Sequence, residues 1–177
     1  PCRNLTTSAR ALQHGRRPPA LRLRSGVITW AVQDQLQGAY TGAVDDFVIV
    51  RSDGVPAYNL AVVVDDAAQG IDQVVRGDDL LSSAPRQAYL ASLLDVAAPE
   101  YAHVPLALNG EGQRLAKRDG AVTLESLAEK GWGSDRVRDL ILRSAGLPEG
   151  TLAGALEAFQ PSGVPRGAWI VGPGELS

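Results

Sequence analysis

The chain has 177 residues, 45% of them hydrophobic and 21% charged, with a formal net charge of -3; that is material for one globular domain, or one with a small appendage. A single cysteine excludes an intrachain disulfide and makes a reducing cytoplasm the default. No run of 18 apolar residues is present to span a membrane. The opening Pro1, Cys2 and Arg3 do not read as a signal peptide and carry no initiator Met, so the chain reads as beginning inside a larger open reading frame.

Residues 1–26 read as a basic arm. Arg3, Arg10, Arg16, Arg17, Arg22 and Arg24 all precede the first acidic residue, Asp34, a formal +6 against -9 for the remainder. Such an arm suits a phosphate backbone, or a solvated edge. Asn4 to Leu12 reads as a short helix capped by Thr6 or Thr7 and broken before Pro18 and Pro19. Leu21 to Leu23 and Val27 to Val32 read as extended pieces, with turns at Gly38 and Gly42. Phe47 to Val50 is a strand, and Ser52, Asp53 and Gly54 make a hairpin-type turn leading into Ala57 to Leu60. Ala61 to Val64 is uniformly apolar, and periodicity leaves helix and strand both open there.

Asp72 to Arg76 reads as another strand. Ser83, Ala84 and Pro85 open a helix to about Val96, with Leu90, Leu93 and Leu94 on one side. Val104 to Leu108 is a strand and Asn109 to Gly112 a loop. Thr123 caps a helix that ends near Gly131. Ser134 caps the clearest helix, with Val137, Leu140 and Ile141 inward and Gly146 at its stop. A last helix covers Leu152 to Phe159, and from Pro161 onward the chain reads as an extended tail.

Strand, helix and strand in that order after Asp72 predict an α/β fold with a parallel sheet. Ligands in such sheets sit beyond the carboxyl ends of the strands, where the loop 109–120 lies. It carries Arg114, Lys117 and Arg118. Only two lysines, Lys117 and Lys130, stand against 15 arginines. A compact ammonium on a flexible stem suits a moving triphosphate better than a guanidinium fork does; composition alone equally describes a solvated basic loop. Arg76 has the planar fork that clamps a carboxylate, with Tyr58 to add orientation, and it could instead pair with Asp78 or Asp79. Asp65 and Asp66 read as framework groups. A lone Cys2 reads as a small hydrophobe, His14 as exposed, and His103 as a strand-end bystander.

Several of these segments together resemble the second half of the catalytic domain of the glutamyl-tRNA synthetase family. They are Pro56-Ala57-Tyr58-Asn59-Leu60-Ala61, Val62-Val63-Val64-Asp65-Asp66, Val74-Val75-Arg76-Gly77-Asp78-Asp79, and Tyr101-Ala102-His103-Val104-Pro105-Leu106 ahead of Arg114-Leu115-Ala116-Lys117-Arg118. The last of these is similar to the mobile loop that class I synthetases carry as KMSKS. Arg114 stands for its first Lys, Ala116 replaces its Ser, and Lys117 keeps the second Lys. The resemblance implies that Lys117, with Arg114, Leu115, Ala116 and Arg118, handles ATP and its Mg2+, and that Tyr58 and Arg76 bind L-glutamate.

Cys2-Arg3-Asn4-Leu5-Thr6 resembles the end of a zinc segment in the glutamyl-Q tRNA(Asp) synthetase branch, which implies Cys2 as one Zn2+ ligand with the others before Pro1. Only 59 residues follow Arg118, and Val164-Pro165-Arg166 with Trp169 resembles the short carboxyl end of that branch. The implied organisation is a basic arm over 1–26, the second half of a Rossmann-type catalytic domain over 27–120, and short helices and tail over 121–177 without an anticodon-binding domain. The implied activity is ATP-dependent activation of glutamate and its transfer to queuosine of tRNA(Asp), by a cytoplasmic enzyme that is monomeric at full length. The alternatives are a truncated glutamyl-tRNA synthetase charging tRNA(Glu), and a non-catalytic remnant. His-x-Gly-His, the class I grip on ATP, is not in these residues, so this chain alone is expected to be inactive.

Overall fold

Residues 2–14, 18–115 and 123–172 are described in the computed structural model. Their contacts divide the chain into two units. One holds the chain up to Asp34, Gly38–Val75 and Leu80–Ala102; the other holds Gln35–Gln37, Arg76–Asp79 and the chain from His103 on. Both are built from helices and short strands, an α/β chain as the sequence predicts.

The first unit begins with α1 (Thr7–His14), where the Ala9 amide donates to the Thr6 hydroxyl at 3.2 Å. The arm is not simply solvated. Arg3 donates to Asp46 at 2.8 Å and to the Ser25 carbonyl, and Arg22 donates to the Asp46 carbonyl at 2.9 Å. Asp46 thus gathers two of the six arm charges, Arg3 on its carboxylate and Arg22 on its backbone carbonyl. Two short strands, β1 (Leu21–Arg22) and β4 (Val48–Val50), pair antiparallel. The main sheet has the order β3-β2-β6-β5, made from β2 (Thr29–Asp34), β3 (Gly38–Ala43), β5 (Gln73–Gly77) and β6 (Glu100–Val104). β2 pairs antiparallel with β3 through a turn that needs Gly38 at φ +80°, and parallel with β6. Gly42 lies inside β3, not at a turn.

The hairpin-type turn leads into a helix. Val50 bridges Pro56, which has no N–H to continue a ladder, and α2 (Tyr58–Gln69) starts two residues later. Helical spacing carries Leu60 and Val63 onto a core with Val44, Phe47, Tyr89 and Leu90. That settles the apolar run Ala61 to Val64 as helix. Gly70, at φ +69°, closes it in the left-handed conformation.

Helix α3 (Ala84–Leu93) is the most buried element. Ala84, Pro85, Gln87, Ala88, Tyr89, Leu90 and Ala91 are all buried. Ala84 and Ala88 pack on Val32 and Tyr101 of the sheet, and small side chains permit that close approach. The Tyr89 hydroxyl accepts the Gly26 amide at 3.0 Å, while its ring tilts 53° against Trp30 at 5.2 Å. The helix is shorter than its periodicity suggests. It stops at Leu93, before Asp95 at φ +56°, so Leu93 and Leu94 are exposed and only Leu90 is buried.

In the second unit, Pro105 and Leu106 separate β6 from β7 (Ala107–Asn109), so Val104 to Leu108 is two strands instead of one. The expected tail is also structured. A 3-10 turn at Pro161–Gly163 precedes β8 (Trp169–Val171), which pairs in parallel with β7 in the register Leu108 to Ile170. The helices are α4 (Leu124–Glu129), α5 (Ser134–Ser144) and α6 (Leu152–Ala158). Thr123 and Ser126 form a reciprocal capping box on α4. Gly133, not Ser134, occupies the cap of α5. Leu140 and Val137 pack with Leu127, Trp132 and Trp169, whereas Ile141 is exposed on the opposite side and Leu142 is buried in its place.

Asp139 on α5 accepts the Gly150 amide at 3.1 Å and is paired with Arg138 at 3.0 Å. The Gly150 N–H first, and Arg138 after it, hold its carboxyl below the ordinary carboxylate range. A depressed native pKa contributes stability above the unfolded value that is lost as pH falls through the native one. Asp139→Asn keeps an acceptor for Gly150 and loses the charge. It is expected to lower Tm at neutral pH, with the gap to wild type closing below about pH 4. A gap independent of pH would show that the charge plays no part.

Candidate functional site

The second unit contains a buried polar cluster. His103, on β6, is 0% exposed. Its ring Nε2 accepts the Arg76 Nε–H at 3.0 Å, and its carbonyl accepts the Gln37 side-chain amide at 3.0 Å. Accepting at Nε2 leaves that nitrogen without a proton, which places any ring N–H on Nδ1. Arg76 sits on the neighbouring strand β5 and is half-buried. The histidine next door engages Arg76, and Asp79 is bonded to Arg114. His103 is therefore bonded to Arg76, not an isolated strand-end group. The signal in the sequence was a lone imidazole in a strand whose neighbours Tyr101 and Ala102 are also buried; nothing local pointed to Gln37.

Asp79 pairs with Arg114. It follows Gly77, where a Cβ would lie 2.7 Å from Asp79 Oδ1 and 2.8 Å from Leu106 Cδ2. Only glycine leaves room for the Asp79 carboxylate and Leu106 to close on the backbone here. Arg114 returns antiparallel to β7. Leu108 bridges Arg114, and the Asn109 amide donates to the Gln113 carbonyl at 2.7 Å. The Asn109 side chain accepts the amides of Glu111 and Gln113 at 3.0 and 2.9 Å, so it shapes the turn from inside. Gly112, at φ +75°, completes it. The fold thus delivers Arg114 at the base of the loop after β7, with a carboxylate as counter-ion in this conformation. The pair is exposed on the arginine side, so its own contribution to stability is small, about 0.2–1 kcal/mol.

Ala116, Lys117 and Arg118 lie outside the described residues. Leu115 is the last described residue before them, its amide donating to the Ala107 carbonyl at 3.4 Å. Tyr58 belongs to the first unit, as the first residue of α2, and is 55% exposed. Cys2 opens the 3-10 turn Cys2–Asn4; its thiol is not among the described atoms. Structural zinc takes four tetrahedral ligands. The chain has one cysteine, and among the described residues no three of His, Cys, Asp and Glu come together. These residues alone do not fit a zinc centre. No helix among the described residues is long and apolar enough to cross a membrane.

The pattern described as tRNA synthetases class I (E and Q), catalytic domain, matches residues 2–164. The chain belongs to this family of ligases. It is 56% identical over 171 residues to the Glutamyl-Q tRNA(Asp) synthetase of Nocardia farcinica, covering 96% of this chain and 55% of that protein. It is 41% identical over 140 residues to the Glutamate--tRNA ligase of Sulfurihydrogenibium sp., covering 77% of this chain and 29% of that one. The chain thus spans little more than half the length of the first relative, and less of the second. Among solved structures, the glutamate-tRNA synthetase of Elizabethkingia anophelis superposes with a TM-score of 0.77 over 97% of this chain and 40% of its own, at 22% identity. That likeness establishes the fold.

Gly77→Ala tests the close packing beside Arg76. The methyl group has to shift the ends of the Asp79 and Leu106 side chains and loosen the exposed Asp79–Arg114 pair, a cost of about 0.2–1 kcal/mol. The expected result is a lower denaturation midpoint, with Asp79→Ala relieving part of the loss in the double variant. Full tolerance of Gly77→Ala would mean that Asp79 and Leu106 move aside freely.

Proposed function

We propose that these residues form the second half of the catalytic domain of an enzyme that activates glutamate with ATP and transfers it to the queuosine of tRNA(Asp). The observation that carries this reading is the 56% identity over 171 residues to a protein named for that reaction. The lower identity to a Glutamate--tRNA ligase supports, as second reading, charging of tRNA(Glu). In either case the first step is the same. A carboxylate oxygen of glutamate attacks the α-phosphorus of ATP, glutamyl-adenylate forms, and pyrophosphate leaves. Glutamate brings carboxylates, for which the Arg76 fork is the natural clamp, with Tyr58 as an orienting hydroxyl. Lys117 and Arg114 neutralise charge developing on the phosphates, alongside the Mg2+ that accompanies ATP. Leu115, Ala116 and Arg118 complete that loop. The Asp79 carboxylate, paired with Arg114 here, is then exchanged for phosphate oxygens.

The same reading makes the enzyme a cytoplasmic monomer, with Cys2 as one of four zinc ligands and the other three from outside these 177 residues. It also makes the 177-residue chain inactive by itself. Adenylation needs both substrates held within near-attack distance, and the chain covers 55% of the Nocardia farcinica relative and 29% of the Sulfurihydrogenibium sp. one.

Glutamate-dependent pyrophosphate exchange without tRNA, measured on the full-length natural protein, is the direct test. Lys117→Ala is expected to reduce exchange roughly a hundredfold, the equivalent of about 3 kcal/mol of lost transition-state contact. Unchanged exchange removes Lys117 from the chemistry.

Arg76→Ala is expected to raise the glutamate KM tenfold or more while the ATP KM stays within about twofold, as loss of a charged bidentate contact requires. Transfer of labelled glutamate to tRNA(Asp) bearing queuosine, compared with tRNA(Glu), separates the two readings. Charging of tRNA(Glu) alone overturns the first.

A further inference from the structure

We infer that His103 is a positioning residue for Arg76, setting the plane in which the guanidinium meets the substrate carboxylate; this rests on the reading of Arg76 as the glutamate clamp. The geometry is local and specific. His103 is the largest of the fully buried side chains, and its Nε2 accepts the Arg76 Nε–H at 3.0 Å. Nε, Cζ and both Nη atoms of an arginine are coplanar. A fixed direction for the Nε–H bond therefore stops rotation about Cδ–Nε and orients the two Nη groups together. Bidentate recognition of a carboxylate depends on that plane, because both N–H bonds must point at both oxygens at once. A carboxylate in place of the imidazole would neutralise the arginine and weaken its hold on an anionic substrate.

The acceptor is itself held in place. The Gln37 side chain, in the turn between β2 and β3, donates to the His103 carbonyl at 3.0 Å. Gly77, immediately after Arg76, lets Asp79 and Leu106 close in to 2.7 and 2.8 Å of a Cβ position. Asp79 is engaged by Arg114, so the nearest carboxylate in sequence after Asp78 has its own cation. The imidazole thus lies against Arg76 while Asp79 is drawn to another arginine. Placing the clamp beside a buried acceptor also limits the rotamer freedom that arginine loses on binding.

The test uses the full-length natural protein and separates glutamate from ATP by pyrophosphate-exchange kinetics. His103→Leu removes the acceptor at similar volume, and it is expected to raise the glutamate KM about tenfold while the ATP KM stays within about twofold. His103→Gln returns an acceptor at about the Nε2 position and is expected to come within about threefold of wild type. Should His103→Leu fail to fold, His103→Asn serves instead: it is polar, but its side chain is too short to reach Arg76, and the same glutamate-selective rise is expected. An unchanged glutamate KM in His103→Leu or His103→Asn overturns the inference. So does a His103→Gln enzyme as impaired as His103→Leu, or an equal rise for glutamate and ATP. Arg76→Ala is run beside them. If it leaves the glutamate KM unchanged, the clamp reading itself fails; if it raises the KM while the His103 variants do not, only the positioning role fails.

Discussion

The close seating of helix α3 on the sheet is the constraint on which the rest depends. Seven of its ten residues are buried, and three of them are alanines. A helix can approach a sheet this closely only where its contact face is small. Because α3 joins β5 to β6, its burial makes those strands neighbours in the order β3-β2-β6-β5. Arg76 and His103 then follow by chain continuity, one near the end of each strand. Ligand sites at the ends of adjacent strands are what an α/β sheet offers. Here the sheet offers an arginine already bonded to a buried imidazole.

Two arginines of the second unit illustrate how environment distinguishes like charges. Arg76 is half-buried and bonded to a neutral acceptor. Arg114 is exposed, on a hairpin return, and bonded to a carboxylate. The first sets a guanidinium against a ring nitrogen, and the second sets one against a carboxylate. Gly77 serves both, since a side chain there would collide with Asp79 and Leu106. The arm follows the same logic at the surface, where Asp46 collects Arg3, Arg22 and the Ser25 amide, the last at 3.0 Å.

Much was determined by the sequence alone. Short-range signals worked because their physics is local: Thr6 and Thr123 cap, Pro85 opens α3, and Gly38 and Gly146 take positive φ where a turn or a helix end requires it. Family motifs likewise reside in contiguous residues, so the E and Q synthetase family was legible from Pro56 to Arg118. Tertiary structure decided what depends on distant partners. The tail after Pro161 looked extended because Pro and Gly discourage regular structure, yet Trp169–Val171 gains a strand by pairing with β7 some sixty residues earlier. Ile141, Leu93 and Leu94 had the right periodicity for burial but are exposed, whereas Leu90 is buried as expected and Leu142 is buried in place of Ile141. The bonds that join Gln37, His103 and Arg76 were invisible for the same reason. A buried polar group is defined by who accepts and who donates across strands, and a single sequence lists donors and acceptors without saying which of them meet.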